Sequence, residues 1–150
     1  MLMPDVNVLV YAHRAEERTH AAYRDWLERL VNGPEPFALS VLVAVAFVRI
    51  VTNVRVFSPP TPPGVALAVI EQLVHHPRCR VVVPQQDHWS RVSELCRATA
   101  ATGKLVADAQ HAAVAMATGC TWVTRDADFS RFAAEGFRWQ HLVMDAPRGE

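Results

Sequence analysis

Aspartates are the residues of this 150-residue chain whose type and spacing point to chemistry. Asp126 and Asp128 directly follow an apolar segment that ends at Thr124. Asp5 lies inside an apolar run near the N-terminus, and Asp108 lies in the alanine-rich segment VADAQHAAVA. A charged residue among apolar neighbours must be hydrogen-bonded, paired or bound to a cation if the fold buries it. These four aspartates are therefore candidates for one shared site.

Carboxylates that converge on one site repel each other. Two unit charges about 4 Å apart repel by about 4 kcal/mol at an effective dielectric constant of about 20. Such a cluster persists only if it takes up protons or binds cations. Oxygen ligands without a cysteine or histidine partner are typical of Mg²⁺ or Mn²⁺ sites. Each acid also has an ordinary interpretation: Asp5 a turn at a strand start, Asp126 a loop acid, and Asp108 a charge that favours a helix dipole.

The pattern of apolar residues predicts the elements that position these acids. Apolar runs predict buried strands over 3–11, 79–83 and 120–124. Helical spacing and capping signals predict helices over 19–31, from Ser40 onward, over 65–75, over 87–99 and over 104–118. Strands that alternate with helices favour a parallel sheet, whose ligands bind beyond the carboxyl ends of its strands. We expect Asp126 at that edge, Asp5 within the first strand, and Asp108 on the sheet-facing side of its helix.

The composition limits the class of protein. Hydrophobic residues make up 51% of the chain and charged residues 20%, which is typical of one globular domain over 1–150. The net charge is zero, so a nucleic-acid partner cannot be inferred from a global positive field. The cysteines form no CxxC pair, which argues against a zinc site or a disulfide framework. The apolar run 41–48 is too short to span a membrane, and Asp5 interrupts the N-terminal apolar segment, so we expect a cytoplasmic protein.

Three segments, in their order along the chain, resemble one known family. The segments are PDVNVLVYA, SVLVAVAFVRIVTN and VADAQHAAVAMATGCTWVTRDADFSRF, and together they resemble the PIN domain of VapC-type toxins. The resemblance implies an α/β fold, a PIN-like α/β/α sandwich with a small, mainly parallel central sheet. It also implies a Mg²⁺- or Mn²⁺-dependent endoribonuclease. Such a protein is the toxin of a type II toxin–antitoxin system, forms a homodimer and is inhibited by a VapB-type antitoxin.

The resemblance also implies roles for individual residues. Asp5, Asp108 and Asp126 match the first, third and fourth acids of the family, and Asp128 matches a frequent neighbouring acid. These aspartates are the expected metal ligands, either directly or through water. A water molecule activated by the metal would then cut RNA and leave a 5′-phosphate and a 3′-hydroxyl group. Residues expected to support the site or to contact RNA are Asn7, Thr124, Arg49 and Arg125.

The second family acid is missing from its expected position. The corresponding helix of the family usually reads EFVR, whereas this chain has Ala46-Phe47-Val48-Arg49. Positions 46 and 49 share a helix face, so a glutamate at 46 would lie beside Arg49 and point at the same site. We therefore expect an impaired enzyme, whose glutamate was lost and which binds metal weakly and cleaves slowly. Alternatively, Arg49 extends to the surface and position 46 was always alanine.

Two other functions fit parts of the pattern. A degenerate PIN domain would bind RNA or an antitoxin without cutting, and Ala46 favours that alternative. A phosphatase of the haloacid-dehalogenase type also begins with a strand aspartate, but it needs a second aspartate two residues later and a late catalytic lysine. Position 7 is Asn7, and the only lysine, Lys104, lies four residues before Asp108. We therefore exclude the phosphatase and keep the non-catalytic PIN domain as the alternative.

Overall fold

The chain folds into a five-stranded sheet flanked by helices. A computed structural model describes residues 1–146. The elements follow one another as β1 (Leu2–Pro4), α1 (Val6–His13), α2 (His20–Asn32), β2 (Phe37–Ser40), α3 (Val41–Val51), α4 (Pro63–Val74), β3 (Cys79–Val82), α5 (His88–Thr99), α6 (Lys104–Ala117), β4 (Thr121–Thr124), a 3₁₀ helix (Ala127–Glu135) and β5 (Trp139–His141).

The sheet is parallel, and its strand order creates a crevice beside β1. The order is β3-β2-β1-β4-β5, and each neighbouring pair is parallel. Leu2 of β1 pairs with Phe37 of β2 on one side and with Thr121 of β4 on the other. The chain moves outward from β1 to β2 and β3, and then returns to β4 on the opposite side of β1. Ligands of open parallel sheets bind where the order reverses, which here is the carboxyl end of β1 and β4.

Helices pack in two groups around this sheet. Helix α1 packs on α2 and α3, and α3 packs on α4, whereas α5, α6 and the 3₁₀ helix pack on one another. Right-handed crossovers place the helices before and after the return of the chain on opposite faces of the sheet. Large buried side chains of the core include Met3, Phe37, Phe47, Trp122 and Phe129. The predicted α/β fold with a small parallel sheet is confirmed.

The predicted strand over 3–11 is wrong in its second part. The strand ends at Pro4, and the chain turns at Asp5 into α1. The Asp5 carboxylate caps this helix by accepting a 2.6 Å hydrogen bond from the N–H of Val6. Asp5 therefore lies at the carboxyl end of β1 and not inside a strand. Continuous apolar sequence does not distinguish a buried strand from a buried helix, which explains the error.

The remaining predicted elements are found, with bounds that shift by at most two residues. Ser40 caps α3 as expected, because its hydroxyl accepts a 3.2 Å hydrogen bond from the N–H of Leu42. Asp87 precedes α5, but its carboxylate accepts from Arg91 Nε at 2.8 Å and does not bond the helix N-terminus. The strands β2 and β5, four and three residues long, were not predicted.

Two further expectations concern the cysteines and the membrane. Cys79, Cys96 and Cys120 are free thiols. Within residues 1–146, no helix has both the length and the apolar character that crossing a bilayer requires.

Candidate functional site

Asp5 is held at the crevice by backbone and side-chain hydrogen bonds. Its N–H donates to the carbonyl of Val123 at 2.8 Å, which ties the end of β1 to β4. Its Oδ1 accepts from the N–H of Val6, and its Oδ2 accepts from the Thr124 hydroxyl at 2.6 Å and the Asn7 amide at 3.3 Å. Only 5% of Asp5 is exposed. These contacts fix the orientation of a buried carboxylate.

Thr124, the last residue of β4, connects several segments through one hydroxyl group. The hydroxyl donates to Asp5, and its oxygen accepts from the Asn7 amide at 3.2 Å and from the N–H of Asp126 at 3.0 Å. The Oδ1 atom of Asn7 accepts in turn from the N–H of Arg125 at 3.2 Å. Thr124 is fully buried. Asn7 and Thr124 therefore both contact the Asp5 carboxylate, and Thr124 also contacts the backbone of Asp126.

Asp108 and Asp126 both contact the side chain of Lys104. Asp126 caps the 3₁₀ helix, since its Oδ1 accepts from the N–H of Asp128 at 2.9 Å. Asp108 lies in α6, which begins after Gly103, a residue whose φ of +56° favours glycine. The Nζ atom of Lys104 lies 2.9 Å from Asp108 Oδ2 and 2.5 Å from Asp126 Oδ2. One ammonium group thus bridges carboxylates from two different elements.

Lys104 is the residue of this site that the sequence analysis did not assign to it. Its side chain is 64% exposed, whereas that of Asp108 is 11% exposed, so the ammonium group approaches the acids from the solvent side. The spacing of four residues between Lys104 and Asp108 on one helix was the available signal, because side chains at i and i+4 are neighbours. The contact with Asp126, 22 residues away, could be found only from the fold.

Burial and mutual repulsion shift the pKa values of the acids. Burial, together with the negative charges of Asp108 and Asp126, raises the pKa of Asp5 to about 6. Burial also raises the pKa of Asp108, although Lys104 opposes this shift. Partial burial alone would raise the pKa of Asp126, but the hydrogen bonds from Lys104 and the Asp128 N–H outweigh it and lower that pKa. Asp126 is therefore the most readily ionised of the three.

The pKa of Lys104 shows how strongly the site favours positive charge. Burial alone would lower the pKa of its ammonium group. The hydrogen bonds to Asp126 and Asp108, with the negative charges of both, outweigh burial and raise that pKa. The lysine is therefore charged throughout the physiological pH range.

Three other polar residues lie around this cluster. Asp128 is exposed at the start of the 3₁₀ helix. The Arg125 guanidinium lies 4.4 Å from the ring centroid of Tyr11, where it makes a cation–π contact. His111, one turn after Asp108 in α6, stacks on Trp122 with ring centroids 5.2 Å apart. His111 thus packs on the core and not among the acids.

Arg49 extends to the surface, which is one of the two placements that the sequence analysis left open. It is exposed on α3, where it borders a shallow apolar depression between α3 and α4 that is lined by Val45, Val48 and Leu67. A guanidinium exposed to water needs no buried partner. Ala46 is half-buried on the same helix. Helix α3 begins directly after Ser40, the last residue of β2. Because β2 adjoins β1, α3 begins at the same edge of the sheet as Asp5.

The donor set fits a hard divalent cation. Asp5, Asp108 and Asp126 offer carboxylate oxygens, and the ammonium group of Lys104 supplies positive charge to two of them. In the part of the chain that the structure describes, no three histidine, cysteine, aspartate or glutamate side chains form a ready-made metal site. To bind a cation, the three carboxylates would therefore have to lie closer together than they do in this structure.

Known proteins match this chain over most of its length. The family described as PIN domain matches residues 2–135. Ribonuclease VapC43 of Mycobacterium tuberculosis is 44% identical over 141 residues, which cover 94% of this chain and 95% of that protein. Ribonuclease VapC31 of the same organism is 37% identical over 134 residues, which cover 89% and 94%.

Solved structures show the same fold. The structure of VapBC2 from Rickettsia felis, bound to a DNA fragment from its promoter, matches with a TM-score of 0.66 and 18% identity, covering 93% of this chain and 96% of that one. The sequence matches extend over nearly the whole chain. This chain therefore belongs to the PIN-domain family of VapC toxins, which are endoribonucleases and generally use divalent metal ions.

Proposed function

We propose that this chain cleaves RNA phosphodiester bonds with Mg²⁺ or Mn²⁺ held by Asp5, Asp108 and Asp126. The observation that carries the proposal is the bridge at Lys104, where carboxylates from α6 and from the end of β4 share one cationic group. The third carboxylate, Asp5, is buried at the same strand edge and is affected by the charges of the other two. Carboxylates this close to one another require positive charge between them.

The hydrogen bonds of Asp126 and Asp5 support separate roles for these two acids. Asp126 Oδ1 is occupied by the helix cap, so its Oδ2, which contacts the Lys104 ammonium group, is the atom that a divalent cation would take. Asp5 binds in its ionised form and is kept in place by Thr124 and Asn7. A divalent cation held here would make a water molecule more acidic and neutralise charge on the phosphodiester. We expect products with a 5′-phosphate and a 3′-hydroxyl group.

Two peripheral residues complete the proposed site. Asp128 is exposed beside Asp126 and acts on the cation through water. Arg125 follows Thr124 directly and contacts RNA phosphate, for which a guanidinium is well suited. The cation–π contact with Tyr11 limits the directions from which the Arg125 guanidinium can approach the RNA.

The partners of the proposed toxin are RNA, a VapB-type antitoxin and a second copy of the chain. Several apolar side chains of α3 and α4 are exposed, among them Val45 (63%) and Leu67 (49%). Apolar residues on a surface of this kind suit a protein interface. The proposed substrate implies a cytoplasmic location. Light scattering tests the homodimer, and co-purification with the product of a small reading frame upstream of the gene tests the antitoxin.

Ala46 supports a second candidate, a degenerate PIN domain that binds RNA or an antitoxin without cutting it. In this alternative the site lacks one of the four family acids and the remaining acids do not complete a catalytic metal centre. We propose for the nuclease itself that Ala46 weakens metal binding and slows cleavage without abolishing it. Supporting changes around metal sites typically cost about 10–100-fold in affinity or activity.

One experiment separates the nuclease from the binding module. A structured RNA is incubated with the protein and Mg²⁺ or Mn²⁺, with EDTA as the metal-free comparison. Cleavage that needs metal and is lost in Asp108→Asn and Asp126→Asn supports the nuclease. Asp25→Asn, at an exposed position of α2, is the matched control and should cleave like the unsubstituted chain. RNA binding without cleavage under all conditions would support the degenerate domain.

A further inference from the structure

Lys104 makes two contacts that a divalent cation would also need. Its ammonium group binds the Oδ2 atoms of Asp108 and Asp126 at 2.9 and 2.5 Å. The Oδ1 atom of Asp126 is already bonded to a backbone N–H. The oxygen that Lys104 uses on Asp126 is therefore the one that a metal would use.

The lysine and a metal cannot share these oxygens at low cost. Mg²⁺ binds carboxylate oxygens at about 2.0–2.1 Å, so a metal on Asp126 Oδ2 would lie within about 5 Å of an ammonium group that kept its contact. A monovalent and a divalent cation at that separation repel strongly. The lysine side chain is long, flexible and 64% exposed, so it can leave the site without disturbing the core.

We propose that Lys104 is a positioning residue that occupies the cation position of the metal-free site and competes with the divalent metal for Asp108 and Asp126. This inference rests on the proposed function, because it presumes that the acids bind metal. In the absence of metal, the ammonium group holds two repelling carboxylates in place. When metal binds, Lys104 swings into solvent.

The NMR signal of the Lys104 side chain can report this exchange directly in the unsubstituted chain. Lys104 is the only lysine, so protein labelled with ¹³C and ¹⁵N in lysine alone gives one side-chain ammonium signal. We expect Mg²⁺ to move that signal toward the position of a solvated lysine. The midpoint should equal that of the Asp108 and Asp126 amide shifts, recorded on a second, uniformly ¹⁵N-labelled sample. Amide shifts at the two aspartates with an unmoved lysine signal would overturn the inference and leave the metal site intact. If neither set of signals moves at saturating Mg²⁺, both the metal site and the inference fail.

Substitution of the lysine tests the same competition through metal affinity. Lys104→Met removes the charge and keeps most of the apolar stem, whereas Lys104→Arg keeps the charge. We expect calorimetric titration with Mn²⁺ to show binding to Lys104→Met about tenfold tighter or more than to the unsubstituted chain, because a nearby positive charge is lost. Lys104→Arg should not gain affinity. Arg131→Gln, which removes an exposed positive charge from the 3₁₀ helix, is the matched control and should bind Mn²⁺ like the unsubstituted chain.

The direction of the change separates competition from a merely structural role. If Lys104 only stabilised the fold around the acids, Lys104→Met would bind Mn²⁺ with equal or lower affinity, and that result would overturn the inference. Melting curves provide a second readout. Lys104→Met should melt at a lower temperature than the unsubstituted chain in EDTA and should gain more from added Mn²⁺. An equal gain in both proteins would also count against the competition.

Discussion

Thr124 Oγ1 donates a 2.6 Å hydrogen bond to Asp5 Oδ2, although 119 positions separate the two residues along the chain. The bond joins the carboxyl ends of β1 and β4, the two strands between which the order of the sheet reverses. The same hydroxyl oxygen accepts from the N–H of Asp126. The first and last of the proposed metal ligands are thus held by one buried side chain.

Thr124→Val keeps the shape of this side chain and removes the hydroxyl group. The N–H of Asp126 and the Asn7 amide then lose an acceptor, and the buried Asp5 carboxylate loses one of its donors. We expect the free energy of unfolding to fall by about 1–3 kcal/mol, the cost of leaving buried polar groups unpaired. Urea denaturation measures the change. Thr124→Ser, which retains the hydroxyl, should lose less, and an equal loss in both variants would assign the effect to packing.

The raised pKa of Asp5 predicts a dependence of stability on pH in the metal-free protein. The native state holds the Asp5 proton up to a pKa of about 6, whereas an unfolded chain releases it near 3.8. Native protein therefore binds more protons than unfolded protein between these values, and Asp5 lowers stability as pH rises through this window. We expect the stability of the unsubstituted chain, relative to Asp5→Asn, to fall by about 2 kcal/mol between pH 4 and pH 7 in EDTA. A difference that stays constant over this range would contradict the shift.

His111 predicts the opposite dependence in the same range. Burial lowers its pKa to about 4, and its Nδ1 is buried without a hydrogen-bond partner among the described residues. Unfolded protein therefore takes up a proton that the native protein does not, and stability is lost as pH falls from about 6.5 toward 4. We expect His111→Phe to remove about 2 kcal/mol of the stability loss between pH 7 and pH 5. Denaturant titrations at the two pH values measure it, and an unchanged acid loss would contradict the prediction.

Ala46 is the position at which activity should be recoverable. We expect Ala46→Glu to raise Mg²⁺-dependent RNA cleavage by about tenfold or more, because it adds the carboxylate that the family resemblance implies at this position. Ala46→Gln matches the glutamate in size without its charge and should give no gain. Initial rates on one RNA at fixed Mg²⁺ measure the effect. Equal rates in Ala46→Glu and the unsubstituted chain would mean that position 46 does not face the metal site.

The sequence predicted the secondary structure well where apolar residues recur with a regular period over a long segment. The alternation of strands and helices predicted a parallel sheet, and the position of Asp126 directly after a strand predicted its place at the carboxyl edge. The sequence was less informative for short elements, since β2 and β5 contain four and three residues and show little periodicity. The run after Asp5 is mostly apolar, so its helical conformation and the Asp5 cap on the N–H of Val6 were found only in the fold.

The charged residues were harder to place than the apolar ones. Arg49 lies in an apolar segment, and exposure at the surface of α3 could not be read from its neighbours. Lys104 lies one turn before Asp108, but the sequence analysis compared it only with the catalytic lysine of a phosphatase. Its second contact, with Asp126, depends on how α6 and β4 meet in the fold.

We propose that Asp5, Asp108 and Asp126 share one divalent cation at the carboxyl end of β1 and β4. Crystals grown with Mn²⁺ test it through the anomalous signal of the metal. We predict one strong peak within coordination distance of oxygens from Asp5, Asp108 and Asp126, with Lys104 turned away. A well-ordered Mn²⁺ bound elsewhere, with Asp108 and Asp126 still joined by Lys104, would contradict this metal site.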